Sequence, residues 1–342
     1  MHFATSPVQE LILSVRTLAT PSNGMHRPWI IDAAGSLKVS DVRLDLLMAL
    51  VRPDGYIPDF LVPTPAGFRE TIDVGLGRVE AADPDEVSRQ LLHLAMHDRA
   101  QAGGGRAARV GLLRDLAAAP REALALIVNE LRRYFGVAVA PSWPRIERLL
   151  YADLEFRAGQ LSSGGLVELF QSLHPRIRFD GGEVYIEKYY DGVFDLGGRG
   201  LVLVPSVFAW PDALVSTAEP HAPSLTYSPR GMALLWKFSD VHRRSLAGVL
   251  GRTRALVIAS LDLPMTTSQL ATQFELTAAT MSGHLKALQS AGLLVARRDG
   301  RSVWYLRTPV ADALLDASGA ADAGGGARDR SPSSTASPRA GG

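Results

Sequence analysis

A single stretch near the carboxy-terminal end, in which the hydrophobic period switches from helix to strand, constrains this chain more than any other feature. From Met265 to Leu306 it reads MTTSQLATQFELTAATMSGHLKALQSAGLLVARRDGRSVWYL. Thr266 with Gln269 three residues on is a capping-box pattern, opening a helix that carries Leu270, Ala271 and Phe274. Glu275-Leu276-Thr277 is short enough to be the turn of a helix-turn-helix. Thr277 is a good N-cap for a second helix, in which Met281, Leu285 and Leu288 recur at i, i+4 and i+7. With that stripe turned inward, the opposite side presents Ala279, Ser282, Gly283 and Lys286, small and polar enough to approach a nucleic-acid groove closely.

Past Gly292 the period becomes two. Leu293 to Arg298 and Ser302 to Arg307 read as strands joined through Asp299-Gly300, a strong hairpin signal. Arg297, Arg298, Arg301 and Arg307 cluster around that turn, with Trp304 and Tyr305 on the returning strand. Helix, turn, helix and basic hairpin, in that order, make the layout of a winged helix. The second helix would meet base edges and the wing arginines phosphate. A solvated basic face, or a fold used only for protein contact, are the other readings of these residues. The polar helix face and the basic wing together favour DNA.

Charge supports the same division. The net charge of +1 hides nine Lys/Arg against three Asp/Glu in His242–Thr308 (+6), and 24 against 28 in Met1–Val241 (−4). A basic end on a faintly acidic body fits one part meeting phosphate while the other does something else. Arginine outnumbers lysine 32 to 4 along the whole chain, so arginine abundance alone carries no weight; only its clustering near the wing does.

With 342 residues, two domains are the natural expectation, and 46% hydrophobic residues suffice for packed cores. The absence of cysteine excludes disulfides and thiolate metal sites. No apolar run approaches the ~18 residues of a membrane span, and Leu11–Val15 follows acidic Glu10, unlike a signal peptide. The expectation is a protein of the cytoplasm with no membrane partner.

Taken in order, Ser6-Pro7 with Gln9 opens a helix whose apolar face is Val8, Leu11, Ile12, Val15 and Leu18, closed by Pro21. Short helical pieces follow at Trp29–Ala34 and Asp41–Leu50, then an ordered Pro-rich loop over Gly55–Pro65. Helices are predicted at Ala66–Val79, Pro84–Ala100 (capped by Asp83 with Glu86), Arg109–Ala118, Arg121–Phe135, Arg145–Gln160 and near Leu166–Leu173. From Arg176 to Tyr227 the pattern is strand-like: Glu183–Tyr190, Gly200–Phe208 and Ser224–Tyr227, with turns at Asp180-Gly181-Gly182 and Gly197-Gly198. Ser228-Pro229 should cap a further helix. The fold class is therefore α+β and mainly helical: a helical amino-terminal domain with a small sheet (1–238), a winged helix-turn-helix domain (239–317) and a disordered tail (318–342) rich in Ala, Gly, Ser and Pro.

Leu270–Arg307 resembles the ArsR-type winged-helix transcriptional regulators, in the SGHLKAL helix, the AGLL junction and the GRSVWY wing, which occur in that order. The amino-terminal SPVQELILSVRTL, HRPWI and GYIPDFLVPTP are similar to an uncharacterised domain fused ahead of some of these regulators. The resemblance implies a homodimer on duplex DNA, reading an imperfect inverted repeat, usually as a repressor released by an effector. Its DNA-facing positions fall here on Thr277, Ala279, Thr280, Ser282, Gly283, His284 and Lys286, with Arg297, Arg298 and Arg301 in the wing. Flanking helices, His242–Leu261 and Pro309–Ala317, would form the dimer seam. Two departures stand out. Many relatives carry a larger polar residue where Gly283 stands. And the cysteine pair of the metal-sensing members is missing from Leu263-Pro264-Met265-Thr266-Thr267, so soft-metal sensing through that site is impossible.

Elsewhere the sequence is quieter. His93 and His97 are spaced i, i+4, but Leu94 stands where a zincin carries its glutamate, and two histidines alone are usually surface or core. The glycine runs match neither GxGxxG nor a P-loop, and no nucleophile elbow is present. His284 fits a packing role as well as a phosphate or base contact. Trp29, Trp143, Trp210 and Trp236 read as core, with a pocket lined by some of them left open. The expectation is a regulator that is not an enzyme, needs no cofactor or metal, and carries in its amino-terminal domain a sensor for a small-molecule, non-thiolate effector. The alternative is an enzyme or protein-interaction module tethered to DNA by the winged helix.

Overall fold

The computed structural model describes residues 1–20, 25–53, 55–65, 67–96, 105–188, 192–217, 222–232, 235–236, 246–261, 264–299 and 302–315. The chain is mainly helical, with small sheets. The expected boundary at 238/239, the tail from 318, Pro21, His97 and Arg301 lie outside the described residues.

The amino-terminal part is built around α1 (Pro7–Leu18), capped by Ser6, whose hydroxyl accepts the Gln9 N–H. The sequence predicts one apolar face, but α1 is buried nearly all round, Arg16 excepted. Its polar residues therefore need internal partners. Gln9 does not complete the capping box; its Nε2 donates to Thr226 Oγ1 at 2.6 Å. Ser14 lies 3.1 Å from the Tyr134 hydroxyl. Glu10, fully buried, accepts from the N–H of Val207 at 2.6 Å, the Ser206 hydroxyl at 3.0 Å and the N–H of Phe208 at 3.3 Å, capping the 3-10 turn Val207–Ala209.

Around α1 stand α2 (Arg27–Leu37), α3 (Leu44–Leu50), α4 (Ile72–Glu80), α5 (Pro84–Met96), α6 (Gly105–Ala118) and α7 (Pro120–Tyr134), the last passing into a π turn at Phe135–Val139. The helix expected from Ala66 starts later, where the Thr71 hydroxyl caps α4 by accepting the Val74 N–H. A Cβ at Gly75 would lie 2.5 Å from Val8 Cγ2, so α4 meets α1 at a distance only glycine permits. The two helices expected at Arg145–Gln160 and Leu166–Leu173 form one run, α8 (Trp143–Leu173), interrupted where Gly165 takes φ 69. Trp29, Trp210 and Trp236 are buried, and Trp29, Phe208, Trp236 and His26 meet at tilted and edge-on angles in one aromatic cluster; Trp143 is half-buried against Phe135.

The strand region resolves into two sheets. β2 (Ile177–Asp180) and β3 (Glu183–Ile186) form an antiparallel hairpin packed on α8 through Phe170, Leu173 and Ile177. A four-stranded sheet has the order β1 (His2–Phe3), β4 (Val202–Pro205), β6 (Ser224–Tyr227), β5 (Leu214–Ser216), with β1, β4 and β6 parallel and β5 antiparallel. Its middle strands are buried on both faces, as parallel pairing demands. The helix expected at Ser228-Pro229 is absent over Ser228–Gly231, which turns at Arg230-Gly231; residues 233–234 and 237–245 lie outside the described residues.

The carboxy-terminal part contains α9 (Leu246–Leu250), α10 (Arg252–Ser260), β7 (Met265–Thr266), α11 (Thr267–Phe274), α12 (Ala278–Ser290), β8 (Leu294–Asp299) and β9 (Ser302–Arg307). The sheet order is β7-β9-β8, all antiparallel. Residues 309–315 form a last helical segment started by Thr308, whose hydroxyl accepts the Ala311 N–H.

Three sealed titratable groups couple this packing to pH. Burial holds His26 down to about 3 and His174 down to about 4, both neutral in the fold, and drives Glu10 up to about 7. Below pH ~6.5 the unfolded histidines gain protons that the native ones refuse, so acidification costs stability. Glu10 works oppositely: its contribution is complete below the unfolded value of 4.5 and is lost as pH rises to about 7. Two histidines outweigh one glutamate, giving a net loss of roughly 1.4 kcal/mol per pH unit from these groups between pH ~6.5 and ~4.5. Urea midpoints across that window should fall on acidification, and fall more steeply in Glu10→Gln. Equal slopes in the two proteins would contradict the assignment.

Candidate nucleic-acid interface

The helix pair α11–α12 is set by local chemistry. Thr266 and Gln269 form the full capping box, the Thr266 N–H donating to Gln269 Oε1 at 2.9 Å and the Gln269 N–H to Thr266 Oγ1 at 3.3 Å. α11 ends at Glu275, which takes the left-handed conformation (φ 55) and turns the chain into Leu276 and Thr277. The Thr277 hydroxyl accepts the Thr280 N–H at 3.1 Å and starts α12.

On α12 the inward stripe is as expected: Met281, Leu285 and Leu288 are buried. Of the candidate reading residues, Thr277, Ala279, Thr280, Gly283 and Lys286 are exposed, and Ser282 and His284 are half-buried. Among the described residues no atom lies within 4 Å of where a Cβ at Gly283 would be. The helix thus offers an open, small and weakly basic surface.

The hairpin supplies the charge. Arg297 and Arg298 are exposed on β8 and stand opposite Trp304 and Val303 of β9. Neighbouring strand residues point to opposite faces, so these two arginines straddle the ribbon rather than lying side by side. Arg307 does not belong to the cluster at the turn: it pairs with Leu294 at the other end of the ribbon, donates to Ile258 O at 3.3 Å and meets Asp312 at 2.7 Å. It holds the ribbon to α10 and the last helix. Arg301, the third wing candidate, is outside the described residues.

Besides the shared hydrophobic core, a polar link among the described residues joins this surface to the amino-terminal part, and sequence reasoning missed it. Arg230 Nη2 reaches Glu275 Oε1 at 3.3 Å, at the turn between α11 and α12. The Arg230 guanidinium also lies over the Phe156 ring, 4.3 Å from its centre, while the Arg230 backbone N–H donates to Asp153 Oδ1 at 2.7 Å. Asp153 in turn accepts from the Tyr227 hydroxyl at 2.8 Å and pairs with Arg157 at 3.3 Å, both ion-pair partners being almost wholly excluded from solvent. Burial and the Asp153 charge push the Tyr227 phenol well above its ordinary range, so it stays a donor. Gly231 (φ 77) lets the chain pass: a Cβ there would sit 3.1 Å from Glu275 and 3.2 Å from Leu149. Asp153 to Arg157 is i, i+4, a weak signal in sequence; nothing local ties either to Glu275.

The strongly shifted groups Glu10, His26 and His174 are all buried and each bridges core elements. His93 packs edge-on to Tyr56 at 5.2 Å; its partner in the i, i+4 pair, His97, lies outside the described residues. Among the described residues there is no group of three or more His, Asp or Glu placed to hold a metal ion, and no helix is long and apolar enough to cross a membrane.

Residues 76–232 match the model of a family described as a family of unknown function (DUF5937). That segment runs from α4 to the Arg230-Gly231 turn, leaving out α1 and the whole α9–β9 region. Neither a curated protein nor a solved structure matches the chain.

Proposed function

We propose that this chain is a DNA-binding transcriptional regulator of the ArsR type, its winged helix formed by α10–β9 and its amino-terminal α+β part serving as the effector domain. The observation that carries the reading is the exposure, on one carboxy-terminal unit, of both the α12 face from Thr277 to Lys286 and the basic hairpin. In this reading α12 enters the major groove with Ala279, Ser282 and Gly283 nearest the bases. Arg297 and Arg298, on opposite faces of the wing, contact backbone phosphates. Arg301 belongs to the same wing.

Val249 on α9 and Val310 on the last helix are 83% and 58% exposed, apolar side chains on the two flanks assigned to the dimer seam. Two copies joined there would place their reading helices about one turn of DNA apart, roughly 34–36 Å, on a near-palindromic site. The Arg230–Glu275 contact gives the effector domain a direct hold on the helix-turn-helix corner. A ligand that prefers one setting of that corner shifts the spacing of the two reading helices.

Selection of bound fragments from a random duplex library tests this. The chain should enrich an inverted repeat, and Ser282→Ala should enrich a different one. Gly283→Ala separates stability from reading. With open space around it, the substitution should stabilise α12 by up to ~1 kcal/mol, yet weaken binding by crowding the groove. Recovery of no common sequence, or the same sequence from all three proteins, would overturn the assignment of the reading face.

A further inference from the structure

Away from the reading face, three cations converge on one carboxylate. Arg16, in the last turn of α1, donates Nη2 to Asp212 Oδ2 at 3.2 Å and Nε to Pro53 O at 2.7 Å. Arg176, just ahead of β2, donates Nη1 to the other oxygen, Asp212 Oδ1, also at 3.2 Å. Lys188, just past β3, donates Nζ to the carbonyl of Ala213, the residue after Asp212. His174, at the end of α8, accepts the Arg176 N–H on Nδ1 and donates from Nε2 to Pro211 O at 3.1 Å. That bonding makes it the neutral tautomer, and it contributes no charge.

Among the described residues these four charged groups, three positive and one negative, leave a surplus of +2. Each Asp212 oxygen already serves one guanidinium, while among the described residues Lys188 bonds a carbonyl and feels Asp212 through space. The cluster is neither sealed nor free: the side chains of Arg16, Asp212 and Arg176 are 21%, 32% and 36% exposed, and Lys188 is half-buried. Desolvation lowers the Lys188 ammonium, and Arg16 and Arg176 repel it against the pull of Asp212. A single cation would have sufficed to neutralise Asp212. Three places in the chain bring three cations, beside the carboxylate of a fourth, to a site that solvent can still reach, where like charges repel more strongly than in bulk water.

We propose that this basin is a binding site for a small dianion, its oxygens taken by the free N–H groups of Arg16 and Arg176 and by Lys188 Nζ. Guanidinium forks suit the paired oxygens of a phosphate or carboxylate, and the ammonium adds a point charge. Two negative charges match the surplus. As the effector site of a regulator the basin rests on the function proposed above; as an anion site it does not. Arg16 and Arg176 meet at Asp212, which directly follows Trp210-Pro211 and the turn that Glu10 caps. An occupant would therefore press on α1 and on the end of α8, the helix that also carries Asp153 and Arg157.

The test uses the full chain, with inorganic phosphate in one arm and succinate in the other, chloride holding the ionic strength constant. The melting temperature should rise in at least one arm, growing with the logarithm of ligand concentration above the apparent Kd, as it does when a ligand binds only the native state. Lys188→Met and Arg176→Gln should each weaken the apparent Kd tenfold or more, and Lys188→Arg should restore binding. Phosphate acting alone assigns a phosphate ester; succinate acting alone assigns a dicarboxylate. No rise beyond the chloride control in either arm, or an undiminished one in both variants, would overturn the site. Saturable binding with duplex affinity unchanged would keep the anion site and overturn its role as effector site.

Discussion

Replacing Asp153 with alanine should lower the stability of the chain by about 3–5 kcal/mol, the range for breaking a buried ion pair from one side. Arg157, with 1% of its side chain exposed, would be left charged without its carboxylate. The Tyr227 hydroxyl and the Arg230 N–H would lose their acceptor at the same time, and each unsatisfied buried donor adds to the loss. The melting temperature should fall by on the order of 10 °C. The paired replacement Asp153→Leu with Arg157→Met should recover much of that, because it removes both charges together. If the single change costs no more than an ordinary surface substitution, the network does not hold the structure as described. The same variant frees the backbone on which Arg230 is mounted, so any duplex affinity should change even in the fraction that remains folded.

How far the sequence could be read depended on how local the governing chemistry is. The caps at Thr266 and Thr277, the inward stripe of α12 and the two strands of the hairpin are decided within a few residues, and each appears within a residue or so of its expected place. β1 is two residues long and pairs with Val202 and Leu203, so no periodicity announced it. Glu10 reads as a first-turn acid favoured by the helix dipole. It is instead a core residue, because α1 is enclosed on every side by elements that arrive much later in the chain. Arg307 was grouped with the wing by proximity in sequence, but it stands at the opposite end of a six-residue strand from the turn. The Arg230–Glu275 contact and the Arg16–Asp212–Arg176 cluster bring together residues far apart in the chain, which one sequence cannot pair. The outward face of α12 was legible because a helix face follows from spacing alone; the basin was not, because its charges share no element.

The second large effect belongs to the wing. On the proposed function, Arg297→Glu with Arg298→Glu would remove two phosphate contacts and add two repulsions, and binding to duplex DNA at roughly 0.1 M salt should weaken by about a hundredfold or more. Both side chains are exposed, so stability should stay within about 0.5 kcal/mol of the parent chain. Retained binding in the folded variant would exclude the wing as a phosphate clamp, and loss of binding counts for it only where the variant stays folded.

The most direct test is the salt dependence of duplex binding by the parent chain and by Arg298→Gln. The logarithm of the association constant should fall linearly with the logarithm of salt concentration, and the substitution should reduce the slope by about one. An affinity indifferent to salt, or the same slope in both proteins, would contradict the claim that this surface meets the DNA backbone.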